Sequence, residues 1–147
     1  MIKSKIKICG IKNIRTVKCC IENNVDFFGM IFYKKSPRNI KIKEALNLIN
    51  YIQYKPIYSV GVFVNEPINQ IKQILKKLKI DYVQLHGEEN SDYIAELKKE
   101  NSIKVIKNIP IKSSEDFLST KKYCNVDMFL FDYKPSEGEL PGGNAKT

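Results

Sequence analysis

Lys5-Ile6-Lys7-Ile8-Cys9-Gly10, followed at Ile14 by a helical pattern and at Phe27 by a second apolar run, is the stretch from which the fold is read. Ile6 and Ile8 alternate with Lys5, Lys7 and Cys9, the period of a half-buried strand, and Gly10 ends the run as a turn residue. The same unit recurs along the chain. Further strands are predicted at about Phe27 to Phe32, Tyr58 to Val64, Tyr82 to His86, Lys104 to Lys107 and Met128 to Asp132. Helical patterns lie between them, at Ile14 to Asn23, Lys43 to Tyr51, Ile68 to Leu78, Ser91 to Lys99 and Ser114 to Cys124. In the third of these, Ile68, Ile71, Ile74, Leu75 and Leu78 recur at three- and four-residue spacing, one face of a helix. Strands alternating with helices at this spacing argue for parallel strands joined by right-handed crossovers.

Cys9 and Asp132 end the first and sixth strands, 123 residues apart. Over five steps that is about 25 residues per unit, a compact βα repeat. Eight such units need about 200 residues, the lower range of a closed (β/α)8 barrel. The 147 residues, expected to form a single domain, therefore hold six units. A doubly wound open sheet is complete at this length and stays open as the alternative. The Gly-rich turn of dinucleotide-binding sheets does not follow the first strand, where Cys9-Gly10-Ile11-Lys12 stands instead.

Composition bounds the function without naming it. The net charge of +9 is almost all lysine, with Arg15 and Arg38 the only arginines. That charge is spread through every helix rather than clustered with aromatics, so it describes a solvated surface and not a nucleic-acid footprint. Attraction for an anionic substrate is compatible with it. No apolar run approaches a membrane span, and Met1 to Lys7 lacks the apolar centre of a signal peptide, so a cytoplasmic protein is expected. The cysteines show no metal or disulfide spacing, and a single histidine makes a zinc site improbable. Cys19, Cys20 and Cys124 are expected to be small buried or half-buried apolar residues.

Cys9 differs by direction. If Ile6 and Ile8 meet the helices, Lys7 and Cys9 point inward, with Cys9 at the mouth. An ammonium beside a thiol favours the thiolate and makes it a usable base. The bland alternative is a core cysteine beside a turn glycine. On the fourth strand Gln84 and His86 share a face opposite Val83 and Leu85, so they line the inner mouth or serve as hydrogen-bonded structural residues. On the sixth, Leu130 and Asp132 share a face, and Asp132 is either a site acid or a capping carboxylate. Arg38, in Lys34-Lys35-Ser36-Pro37-Arg38, is either a solvent-facing loop residue or a bidentate clamp for a carboxylate. Glu137 to Asn144 has the composition of a mobile loop.

Lys7-Ile8-Cys9-Gly10, Ser36-Pro37-Arg38, Gly61-Val62-Phe63-Val64-Asn65, Val83-Gln84-Leu85-His86-Gly87 and Leu130-Phe131-Asp132, in this order and at these strand ends, resemble the phosphoribosylanthranilate isomerases of tryptophan biosynthesis. Leu140-Pro141-Gly142-Gly143-Asn144 is similar to the loop after the sixth strand of that family. The resemblance implies a TIM (β/α)8-barrel lineage and a cofactor-free, metal-free Amadori rearrangement of N-(5-phosphoribosyl)anthranilate to an aminodeoxyribulose phosphate. It implies that Asp132 is the general acid at the ribose ring oxygen, Cys9 the general base at C2, and Arg38 the partner of the anthranilate carboxylate. Lys7, Gln84 and His86 are expected to line the substrate site with them. The expected partner is that small molecule, with no nucleic acid and no membrane, in a monomer or homodimer when full length.

Two departures stand out. Lys12 occupies a position where the family usually has threonine. Strands seven and eight, whose loops hold the substrate phosphate in many barrels, are expected beyond Thr147. The 147-residue chain is accordingly expected to be the first three-quarters of the barrel. The alternative is an inactive fragment, or one partner of a split barrel.

Overall fold

A computed structural model describes residues 4–99 and 102–133. Its strands are β1 (Lys7–Cys9), β2 (Phe27–Ile31), β3 (Tyr58–Phe63), β4 (Tyr82–Leu85), β5 (Lys104–Ile111) and β6 (Met128–Tyr133). Four α-helices alternate with them, α1 (Ile14–Glu22), α2 (Ile42–Ile52), α3 (Ile68–Lys77) and α4 (Ser91–Lys98). All strand pairs are parallel and the sheet order is β1-β2-β3-β4-β5-β6. Sequential order decides between the two architectures, because a doubly wound sheet reverses direction at a switch point and this one does not. The chain forms a curled, partial (β/α) barrel.

Two apolar layers follow from strand alternation. Outward-facing residues such as Phe28, Met30, Phe63, Val83, Leu85 and Val105 pack against the helices. Each helix contributes a spaced stripe, for example Ala45, Leu48, Ile49 and Ile52 from α2. Inward-facing Phe27, Ile31, Val60, Val62, Tyr82 and Ile106 form a second cluster inside the curl, with Cys9, Met128 and Leu130 at its margin. The register carries Ile31 to Val62, Gln84, Ile106 and Met128 across five strands, so the interior is filled level by level.

Three expectations need correction. The segment after β5 is a 3-10 helix, Ser114–Lys122, with no buried residue, instead of an α-helix. Its apolar residues Phe117 and Leu118 are adjacent and leave no stripe at helical spacing. Strand β5 runs on to Ile111, past the expected end at Lys107. Of the helix-associated cysteines only Cys20 is buried; Cys19 and Cys124 are exposed. One residue of helix turns Cys19 about 100° away from Cys20, and Cys124 follows the 3-10 helix that buries nothing.

An internal repeat was not among the expectations. Asn24-Val25-Asp26, Lys79-Ile80-Asp81 and Asn125-Val126-Asp127 precede β2, β4 and β6. In each, the aspartate accepts a backbone N–H at the start of the preceding odd strand, or just before it in the first case: Ile6 at 2.8 Å, Ser59 at 2.8 Å and Val105 at 2.7 Å. Asn24 and Asn125 adopt positive φ, 54° and 62°, a conformation asparagine tolerates better than most residues. These clamps fasten the strands in pairs at their N-terminal ends, leaving the other end for the site.

Candidate active site

The C-terminal ends of the strands gather the polar residues. Cys9 closes β1, and the β2 residue level with it is Gly29. A Cβ at Gly29 would stand 2.8 Å from Cys9 Sγ and 3.3 Å from Lys7 Nζ, so the thiol and the ammonium lie over this bare stretch of backbone. The chain then turns at Gly10, where φ is +87°. Arg38 lies on that turn: a Cβ on Gly10 would be 2.6 Å from Arg38 Cδ and 3.0 Å from Nη1. Arg38 Nη1 donates to Cys9 O at 3.2 Å, which uses one of the five guanidinium donors and holds the group beside the thiol-bearing residue.

Across the curl, His86 leaves the end of β4 and its Nε2 is 3.6 Å from Asp132 Oδ2 on β6. Flat strands two apart are separated by about 9.6 Å, so only the curvature brings these groups together. Gln84 Nε2 lies 2.9 Å from His86 Nδ1. With the amide nitrogen donating, Nδ1 is the acceptor and the ring proton sits on Nε2, toward the carboxylate. Burial pushes the His86 pKa down; Asp132 and Glu89 oppose that while Lys107 and Lys7 add to it, and the net direction is downward. Burial thus favours the neutral form of the His86 ring. Asp132 Oδ1 accepts from Tyr133 N at 2.8 Å, so one oxygen caps the strand end while the other faces the site.

Behind His86 lies a buried ion pair that the sequence reading missed. Lys107 Nζ is 3.2 Å from Glu89 Oε2 and donates to Gly87 O at 2.6 Å and Leu85 O at 3.4 Å. Glu89 accepts from Asn65 N at 2.9 Å and Gly87 N at 3.0 Å, and Asn65 Oδ1 accepts from Glu88 N at 2.7 Å. The loops after β3 and β4 are thereby tied together, and both backbone neighbours of His86 are held. Lys107 lies two residues after Val105 on β5 and shares its face, so it faces the helix layer and not the interior. The available signal was a lysine embedded in Val105-Ile106-Lys107-Asn108 with an acidic pair, Glu88-Glu89, after His86-Gly87.

The structure thus brings Lys7, Cys9 and Arg38 together on one side of the mouth, and Gln84, His86 and Asp132 on the other. The Glu137 to Asn144 loop lies outside the described residues. Among the described residues no group of three or more His, Cys, Asp or Glu could hold a metal ion, and no helix is long and apolar enough to cross a membrane.

Sequential parallel strands in a curled sheet, with polar groups gathered at their C-terminal ends, define a protein of the (β/α)-barrel class. Comparison with known proteins makes the class particular. Residues 6–145 match the family model of N-(5'-phosphoribosyl)anthranilate isomerase, and the chain belongs to that family. It is 40 % identical over 143 residues to the N-(5'-phosphoribosyl)anthranilate isomerase of Thermoanaerobacter sp. (strain X514), covering 97 % of this chain and 66 % of that protein. The chain thus spans just under two thirds of the length of such relatives. The crystal structure of phosphoribosyl anthranilate isomerase from Thermotoga maritima superposes with a TM-score of 0.83 at 30 % identity, over 98 % of this chain and 67 % of that one. A phosphoribosyl anthranilate isomerase solved in complex with reduced 1-(o-carboxyphenylamino)-1-deoxyribulose 5-phosphate matches with a TM-score of 0.79 at 29 % identity, over 88 % of this chain and 66 % of that one.

Proposed function

We propose that this chain carries the acid/base half of a phosphoribosylanthranilate isomerase, which converts N-(5-phosphoribosyl)anthranilate to 1-(2-carboxyphenylamino)-1-deoxyribulose 5-phosphate. The observation that carries the proposal is the placement of a thiol and a carboxyl on opposite arms of one curled sheet, each beside a polar partner. Asp132 gives its proton to the ribose ring oxygen as the C1–O bond breaks, and the nitrogen lone pair forms the C1=N bond of the Schiff base. Cys9 takes the proton from C2; the C–H electrons form C1=C2 and return the C=N pair to nitrogen, giving an enolamine. Protonation at C1 and loss of the C2 hydroxyl proton yield the ketone. One group must begin protonated and the other deprotonated, which suits a thiol and a carboxyl on opposite arms of the sheet. Arg38, fixed over Gly10, binds the anthranilate carboxylate. Lys7 lies beside Cys9 and attracts the anionic substrate, while Gln84 sets the His86 ring that orients Asp132. The resemblance of a ligand-bound isomerase to this chain supports a small-molecule sugar phosphate as the substrate. No cofactor enters any of these steps. We infer a cytoplasmic protein that acts as a monomer or homodimer.

The test is growth without tryptophan of a bacterium lacking the isomerase, with the coding sequence for this chain supplied alone and with two further βα units. Rescue by either, abolished by Cys9→Ser, supports the proposal. Failure of both refutes it.

A further inference from the structure

Two buried side-chain oxygens have no hydrogen-bond partner among the described residues: Gln84 Oε1 and Asn108 Oδ1. Gln84 is 2 % exposed and Asn108 6 % exposed, so bulk water does not serve them. Buried polar groups are nearly always paired, and an exception calls for a reason. For Gln84, Nε2 is committed to His86 Nδ1, and turning the amide around only changes which of its atoms is left alone.

Asn108 sits two residues after Ile106, whose side chain belongs to the interior cluster, so it points into the curl as well. Across β6 it pairs with Leu130, and Asp132 lies two residues further along. On the other side Leu85 pairs with Lys107, which brings the next residue, His86, level with Asn108. Asn108 therefore occupies the strand between those bearing His86 and Asp132, beneath the place where their side chains approach to 3.6 Å.

We propose that Asn108 is a ligand-binding residue of this site, its Oδ1 accepting a hydrogen bond from a sugar hydroxyl of the bound molecule. An amide oxygen needs a donor, which excludes the carboxylate and phosphate of the ligand. The ligand's N–H is adjacent to the ring bearing the carboxylate, and Arg38 holds that ring over β1. Asn108 is on the opposite arm, next to the acid that acts on the sugar, where hydroxyls are the available donors. The inference rests on the isomerase reading of the site. It has a physical consequence: without ligand, Asn108 is a buried acceptor that burdens the fold and is retained for binding.

Asn108→Leu, close in size and matched to Ile106 and Leu130, separates the two effects. Thermal unfolding is measured without ligand, and affinity for reduced 1-(o-carboxyphenylamino)-1-deoxyribulose 5-phosphate is measured by calorimetry. The variant is expected to melt a few degrees higher and to bind about tenfold more weakly, the loss of one hydrogen bond. A residue with a merely structural role would not lose affinity while gaining stability. Equal affinity of wild type and variant, or a lowered melting temperature without ligand, overturns the inference and leaves the isomerase reading intact. Wild-type protein that does not bind the analogue removes that reading and the hydroxyl assignment with it. Asn108→Ala, which cannot overfill the interior, provides the binding comparison if the leucine variant does not fold.

Discussion

Cys9 and Arg38 touch through a single bond, Nη1 to the Cys9 carbonyl, yet their proposed roles predict opposite kinetics. A base acts in the transition state only, so Cys9→Ser is expected to lower kcat by two orders of magnitude or more with KM little changed. A clamp on the carboxylate acts in the ground state as well, so Arg38→Ala is expected to raise KM about ten- to a hundredfold with a smaller effect on kcat. Steady-state kinetics on both variants checks this, and a Cys9→Ser enzyme with normal kcat removes the thiol from the chemistry. The placement of Cys9, Gln84, His86 and Asp132 at the C-terminal ends of their strands was legible in the sequence because alternation and strand ends are local signals. Asn108 was not, because the fifth strand was expected to stop at Lys107. Lys107 was hidden for a different reason. In a chain this rich in lysine the residue reads as solvated, and its burial depends on Glu89, 18 residues away, which no periodicity discloses.

At the level of elements, helices with clear apolar stripes were read to within a residue or two at each end, while the weakly patterned Ser114–Lys122 segment gave a 3-10 helix. The aspartate clamp before β6, Asp127, is a place where acid weakens the fold. Partial burial tends to raise the Asp127 pKa, but Lys98 at 2.7 Å, the Val105 N–H and the charge of Lys104 outweigh it and hold it below the usual range. A carboxyl depressed in the folded state stabilises above its unfolded pKa, near 4, and loses that contribution as pH falls through the lower folded value. Asp127→Asn keeps an acceptor for Val105 and removes the charge. At pH 7 it should cost about 1 kcal/mol, discounted for a side chain 34 % exposed, and the gap to wild type should narrow in urea titrations as the pH falls through the lowered folded pKa. A gap independent of pH would mean that the ion pair contributes nothing. The Glu89–Lys107 pair is different because both partners are buried. Glu89→Gln leaves the Lys107 ammonium without its counter-charge and is expected to cost about 3 kcal/mol, while adding Lys107→Met should return much of that loss. Additive losses in the double variant would contradict the coupling.

For the whole molecule, the sheet edges oppose the net charge. Among the described residues β1 and β6 end the sheet, and both carry exposed apolar side chains: Ile8 on one, with Ile6 just before it, and Phe131 and Tyr133 on the other, with Phe117 and Leu118 beside the second. Unpaired edges flanked by exposed apolar groups favour strand-to-strand association. The net charge of +9 repels like copies, and that repulsion is long-ranged only at low ionic strength, with a screening length of about 30 Å at 0.01 M and about 8 Å at 0.15 M salt. The polypeptide of residues 1–147 is therefore expected to stay dispersed in dilute buffer and to associate as salt is added, the reverse of assembly driven by ion pairs. Ile8→Lys together with Phe131→Lys places a charge on each edge and should shift the onset of association to higher salt and higher protein concentration. Sedimentation across a salt series decides the matter: a wild-type polypeptide that remains monomeric at 0.5 M salt would mean that neither edge is sticky, whereas association relieved by added salt would assign it to charged surfaces instead.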